Sequence, residues 1–199
     1  MMEYLGKNEY FIKKYISTMR VIGIDPSINS TGVCVRDGDT YIYYIISSKT
    51  TKKMDSFVHK YVSILKYIKD DTKNMEYSDK EYTKTNNYLR IIDHLKNIIE
   101  KHKPERIIME GISYGSVSGS SLVDLAGINF LIRSLCIQYG IPYTIVSPTS
   151  LKKFVCANGQ AEKEVIIESW KRMDKNINNI TDIKIDDLAD AFFLSNYTV

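Results

Sequence analysis

The chain has 199 residues, 44% hydrophobic and 26% charged, with a formal net charge of +3. That length and balance describe one soluble globular domain able to bury a core. The weak positive charge permits an anionic partner without demanding one. No apolar run approaches the ~20 residues that a membrane-spanning helix needs. The polar, Lys- and Tyr-rich segment 1–20 has neither the apolar stretch nor the small-residue cleavage site of a secretory signal. A cytoplasmic protein is therefore expected. Cys34, Cys136 and Cys156 are odd in number and far apart, which predicts buried thiols rather than a disulfide framework or a zinc site.

In chain order, Val21–Asp25 is a short β-branched run stopped by Pro26 and reads as a buried strand. Gly32–Val35 and Tyr41–Ile46 flank an Asp-Gly turn, a hairpin signal, so the chain opens as an antiparallel meander of three strands. Phe57, Ile64, Leu65 and Ile68 are spaced like one face of a helix. The polar stretch from Asp70 to Lys80 then reads as a mobile loop or an exposed helical insert. Tyr88, Ile91, Ile92, Leu95, Ile98 and Ile99 mark an amphipathic helix closed by Pro104. Arg106–Glu110 is a second buried strand, followed by a Gly/Ser-rich loop over 111–121. Leu122–Tyr139 is apolar nearly all round and is expected to be a core helix ended by Gly140. Tyr143–Val146 is a fifth strand, Ser147-Pro148 caps a short helix holding Lys152, and two further helices cover Glu162–Met173 and Asp186–Asn196. Strands opening with hairpins and continuing as β-α units predict an α/β fold: a mixed five-stranded sheet with helices on both faces.

Acids sit at telling places in this plan. Asp25 ends the apolar run Val21-Ile22-Gly23-Ile24, and Glu110 ends Ile107-Ile108-Met109. A carboxylate at the end of a buried strand is costly unless paired or bound to a metal. Asp25 alone reads equally well as a turn or capping aspartate. Two such acids on adjacent strands repel, and a divalent cation between them removes the conflict. Asp187 and Asp190, three apart, share a face near the first turn of the last helix. They also fit a solvated helix start matching the dipole, although Leu188, Ala191, Phe192 and Leu194 leave that helix little exposed face. Asp186 reads as an N-cap or an outer ligand. Oxygen ligands with no His or Cys nearby point to Mg²⁺ or Mn²⁺. Two such ions ~3.5–4 Å apart can activate a water, orient a phosphodiester and offset charge on its leaving 3′-oxygen.

With these elements in place, the chain resembles the RuvC-type Holliday junction resolvases of the ribonuclease H-like superfamily, phage-type members in particular. The resemblance runs from about Arg20 to Asn196 and is carried by Gly23-Ile24-Asp25-Pro26-Ser27, Ile108-Met109-Glu110 and Asp187-Leu188-Ala189-Asp190-Ala191. A fourth segment, Leu151-Lys152 through Gly159-Gln160-Ala161-Glu162-Lys163, is similar to the family's basic region, with its two lysines eleven residues apart. The resemblance implies a ribonuclease H topology over 20–199 with 1–19 as an N-terminal extension. It implies a structure-selective endonuclease of DNA recombination and repair, with two metal ions held by Asp25, Glu110, Asp187 and Asp190. Lys152 and Lys163 would then meet the scissile phosphate, as lysines do elsewhere, with Lys153 a competitor for the first role.

The loop after Glu110 is where this family reads the junction. There Ser113 and Ser116 allow close approach to phosphates and Tyr114 could stack on an unpaired base, although an ordinary flexible loop fits nearly as well. The N-terminal segment and the polar stretch near 70–84 are longer than the family minimum. Branched DNA, a four-way junction first, is the expected partner. A two-fold homodimer is expected from the junction's own symmetry, with the apolar helix Leu122–Tyr139 as its candidate face. Two other functions compete. An actin-like nucleotide-binding ATPase would use the Asp25–Gly32 turn to grip phosphate, but such proteins generally need two domains of this kind. A catalytically idle junction-binding module would not need all four acids.

Overall fold

A computed structural model describes residues 19–112, 119–156, 159, 162–177, 180, 183 and 185–198, apart from the side chain of Ser120. Ser113, Tyr114 and Ser116 lie outside the described residues. The strands are β1 (Arg20–Asp25), β2 (Ser30–Asp37), β3 (Thr40–Ser47), β4 (Val62–Lys66), β5 (Arg106–Glu110) and β6 (Tyr143–Val146). The α-helices are α1 (Lys52–Asp55), α2 (Tyr77–His102), α3 (Gly119–Gln138), α4 (Pro148–Cys156), α5 (Lys163–Met173) and α6 (Ile185–Ser195), with a 3₁₀ turn at Lys175–Ile177.

One six-stranded mixed sheet runs in the order β4-β3-β2-β1-β5-β6. Only β2 opposes the others, so β1, β3, β4, β5 and β6 all finish at the same end. Alternation along the strands sorts the core into two layers. Ile22, Ile24, Ile107 and Met109 face α2 and α3, where they pack with Ile91, Leu95, Ile128 and Ile132. Val21, Cys34, Tyr43 and Ile108 face α5 and α6, where they pack with Trp170, Leu188, Ala191 and Phe192. Trp170 is fully buried and its indole N–H donates to the Tyr43 hydroxyl at 3.0 Å. That hydroxyl in turn donates to the buried Asp174 carboxylate at 2.7 Å. The polar groups under α5 are thus satisfied in series, as burial requires.

The opening meander and the layered α/β plan match the expectations, but the sheet has six strands rather than five. The residues expected to form a helix through Phe57 and Ile68 instead give, after the four-residue α1, an irregular crossing and edge strand β4. Val62, Ile64 and Leu65 pair in parallel with β3, from Tyr43↔Val62 to Ser47↔Lys66. Helical and strand spacings coincide over so short an apolar run, and a β-branched segment with a partner alongside takes the strand. The polar stretch near 70–84 is also only partly loop: from Tyr77 it forms the first turns of α2. Those turns propagate from the packed half of the helix and carry a Lys84–Glu81 pair at 3.1 Å.

Helix α3 corrects one expectation. Over Ser121–Gln138 it is long and apolar enough by composition to cross a membrane, and it is not buried all round as a core helix would be. Only its inner face, through Ile128, Ile132, Leu135 and Cys136, belongs to the core, while Val123, Phe130 and Ile137 are exposed.

Candidate active site

Register alone brings Asp25 and Glu110 together. β1 and β5 are parallel neighbours with Ile24 opposite Met109, so the next residue on each strand is an acid. Alternation turns both toward the α6 side, since Ile24 and Met109 point the other way. Helix α6 reaches them because the sheet beneath it is bare. A Cβ on Gly23 would stand 2.1 Å from the Ala191 carbonyl oxygen, and one on Gly32 would stand 2.1 Å from that of Asp187. Glycine within a strand marks close backbone approach, and here two on adjacent strands seat one helix. The helix starts at the acidic end, where Asp187 lies over Gly32, and runs toward Ser195, whose carbonyl accepts from Arg36 Nε at 2.9 Å.

The charges interact strongly. Asp25 and Glu110 keep some surface open to solvent, yet desolvation is the largest influence on both carboxyls. Desolvation, then the charges of Glu110, Asp190 and Asp187, hold the Asp25 carboxyl well above the usual range. Glu110 is also raised by burial, against the pull of a hydrogen bond from Asp25 and the charges of Lys152 and Lys163. Asp190 is pushed up to about 7, first by burial and next by Glu110. The four acids therefore share one field. Among the described residues, however, no three acidic, histidine or cysteine side chains close into a ready-made cage.

Residues around the acids fix their geometry. The buried Ser30 hydroxyl hydrogen-bonds Asp187 Oδ2. The fully buried Asn129 on α3 donates to the Glu110 carbonyl at 3.0 Å and accepts from Arg133 Nε at 2.8 Å. Lys163, the first residue of α5, reaches Asp186 Oδ2 at 2.9 Å. That bond is the main reason its ammonium pKa is raised. Asp186 is lowered overall: burial pushes it up, but Lys163 and the backbone amides of Asp186 and Asp187 outweigh that. Asp186 therefore holds a lysine, a role its sequence position did not announce. Ser147 caps α4 as expected, its Oγ accepting from Ser150 N–H at 3.1 Å. From that helix Lys152 bears on Glu110, while Lys153 is exposed.

The turn after Asp25 is closed on itself. The Thr31 hydroxyl donates to the Ser27 carbonyl at 2.6 Å and accepts from the Ser27 N–H at 3.2 Å, and Asn29 N–H is directed at Ser27 Oγ. A phosphate-gripping turn offers its amides outward, so the ATPase reading is not favoured. Ser30, Asn129, Gly23 and Gly32 were not singled out from sequence for these roles. Strand glycines opposite a helix that carries acids were the available signal.

The family model for crossover junction endodeoxyribonuclease RuvC matches residues 58–195, a stretch holding Glu110, Asp187 and Asp190 and beginning after Asp25. The RuvC of Rhizobium etli is 26% identical over 181 residues, covering 90% of this chain and 88% of the relative. That of Gloeobacter violaceus is 27% identical over 106 residues, covering 53% of this chain, which thus spans only 58% of that relative's length. Two structures of Thermus thermophilus RuvC, one alone and one in complex with Holliday junction substrate, superpose with TM-scores of 0.57 and 0.54 at 16% and 15% identity. Each comparison covers 89% of this chain, and 91% and 90% of the Thermus chains. At such identity the likeness shows the ribonuclease H-like fold. The family match spans most of the chain and includes three of the four clustered acids, so this chain belongs to the RuvC family of crossover junction endodeoxyribonucleases.

Proposed function

We propose that this chain cuts branched DNA, Holliday junctions first among them, by metal-dependent hydrolysis that leaves 5′-phosphate and 3′-hydroxyl ends. Asp25, Glu110, Asp187 and Asp190 are the metal ligands, and Lys163 and Lys152 act at the phosphate. The observation that carries this reading is the shared field of the four acids at one sheet end, with both lysines acting on Glu110. The donor set fits two Mg²⁺ or Mn²⁺ ions: it is all hard oxygen, and its carboxyls are held up in pKa first by burial and then by one another's charge, both of which a cation would offset. When bound, such ions supply an activated water and offset charge on the phosphate and the leaving oxygen.

The chain's own residues do the placing. Strand ends fix Asp25 and Glu110, Ser30 orients Asp187, and Asp186 steadies Lys163. Lys153 contacts the DNA backbone beside Lys152, and Ser113, Tyr114 and Ser116 contact the opened junction from the sequence between β5 and α3. Residues 20–199 form the nuclease domain and 1–19 an extension, working in the cytoplasm of a bacterial or phage-infected cell. A homodimer is supported by α3. Val123, Phe130 and Ile137, spaced by sevens along one stripe, are 65%, 60% and 69% exposed, a face suited to a two-fold copy of itself.

The test incubates the protein with four-way, three-way, flap and linear DNAs in Mg²⁺, Mn²⁺ or Ca²⁺, with light scattering alongside. Paired incisions of the four-way junction in Mg²⁺ or Mn²⁺, and binding without turnover in Ca²⁺, are expected. Equal cutting of linear DNA would overturn the substrate, equal cutting in Ca²⁺ the two-metal chemistry, and a monomer making single nicks the dimer.

A further inference from the structure

Segment 48–73 links β3 to α2 by way of α1 and β4, and it does not contribute to the carboxylate site. It carries seven lysines against three aspartates, a net +4, so the rest of the chain holds −1 of the total +3. All seven lysines are exposed. Concentrating more than the entire net charge in one short segment is the mark of a surface for a polyanion.

The segment is firmly seated. Met54 and Val62 are buried in the α5–α6 layer and Tyr67 in the opposite one. Asn87 of α2, itself 1% exposed, accepts from Asp70 N–H at 2.9 Å and donates to the Asp70 carbonyl at 3.1 Å. It is also tied to the turn that follows Asp25. Tyr67 hydrogen-bonds the Ile28 carbonyl, the Ser48 N–H donates to the Asn29 carbonyl at 3.4 Å, and Lys69 Nζ donates to Asn29 Oδ1 at 3.2 Å. β3 and β4 finish at the same end as β1 and β5. Lys49, Lys52, Lys66 and Lys69 therefore stand at the acidic end, whereas Lys60, beside the start of β4, stands at the other. In the sheet order β4 is three strands from β1. At ~4.8 Å per strand that is about 14 Å, or about four nucleotide steps of ~3.4 Å along one strand.

We propose that Lys49, Lys52, Lys66 and Lys69 form a second DNA contact surface, which grips the phosphates of a duplex arm about four nucleotides from the cut. The proposal rests on the nuclease reading for its position relative to the cut, but not for the contact itself. The surface is sequence-blind, because lysines on a rim neutralise phosphates and do not reach base edges.

The experiment measures binding in Ca²⁺ against salt concentration for wild type, for the triple variant Lys49→Gln/Lys52→Gln/Lys69→Gln, and for Lys60→Gln. On a four-way junction with arms of about two helical turns, the triple variant's log K against log salt slope should be shallower by about 2.7 for each bound protomer, or ~0.9 for each lost phosphate contact. On arms cut to about three base pairs its slope should match wild type, and Lys60→Gln should match throughout. A slope within about 0.5 of wild type on long arms overturns the surface. Wild-type protein that ignores branched DNA would count against the nuclease reading instead. The same slopes on plain duplex would still read the lysines, and equal slopes there overturn this proposal whatever cleavage shows.

Discussion

Replacing Asp190 with Asn should make the metal-free protein more stable while ending cleavage. In the fold the Asp190 carboxyl is pushed up to about 7 from an ordinary 3.8, first by burial and then by Glu110. Roughly three pKa units at 1.36 kcal/mol each put the cost of ionising it in place at about 4 kcal/mol. Because the folded value is the higher one, the folded protein holds the proton more tightly than the unfolded chain does. The stability Asp190 contributes is then fully present below pH 3.8 and is lost as pH rises through about 7. Asn carries no such charge. The variant should therefore match wild type near pH ~4 and exceed it by about 2–4 kcal/mol near pH ~8.5, the lower figure allowing for protons shared with Glu110 and Asp25. For a domain of this size that is a Tm gain of at least about 4 °C. Thermal unfolding followed by circular dichroism in chelator, at both pH values, measures it. Added Mg²⁺ should raise the wild-type Tm and narrow the gap. A variant no more stable than wild type at the higher pH would refute the claim that burial and Glu110 hold this carboxyl protonated.

Asp25→Asn, Glu110→Gln and Asp187→Asn should each lower single-turnover cleavage by at least ~100-fold, with junction binding in Ca²⁺ within about threefold of wild type, since binding comes mostly from cations; gel shifts and quenched-flow assays check both. Asp186→Asn should reduce the cleavage rate at saturating DNA by about tenfold, and Asp186→Glu should restore most of it. In a Lys163→Ala background the Asp186 change should add almost nothing, whereas additive losses would make Asp186 a ligand in its own right. Gly23→Ala places a Cβ 2.1 Å from the Ala191 carbonyl oxygen. It should cost about 3 kcal/mol or more, read as a lower urea midpoint, together with loss of cleavage as α6 shifts.

The acids were legible because each breaks a local rule: Asp25 and Glu110 end apolar strands, and Asp187 and Asp190 interrupt an apolar helix. Their meeting is encoded at long range, in the β1–β5 register and the two seats for α6. A glycine's meaning depends on what lies across from it, so Gly23 and Gly32 stayed mute until the helix was in place. β4 was read as helix because a five-residue strand has no period of its own, and its assignment comes from pairing with β3. Ser30 and Asn129 look like ordinary polar residues, and only burial beside Asp187 and the Glu110 carbonyl gives them work.

The helix that supplies two of the four acids lies on strands made some 160 residues earlier, with Ala191 over Gly23. A ribosome that has finished β5 has exposed a chain holding Asp25 and Glu110 alone. Contacts so distant in sequence form late in folding. If the four acids are the cutting centre, it is completed only when α6 docks, and a nascent chain that stops short of α6 lacks Asp187 and Asp190 even where its sheet has formed. For a crossover junction endonuclease built in this way, order of synthesis would act as a safety catch.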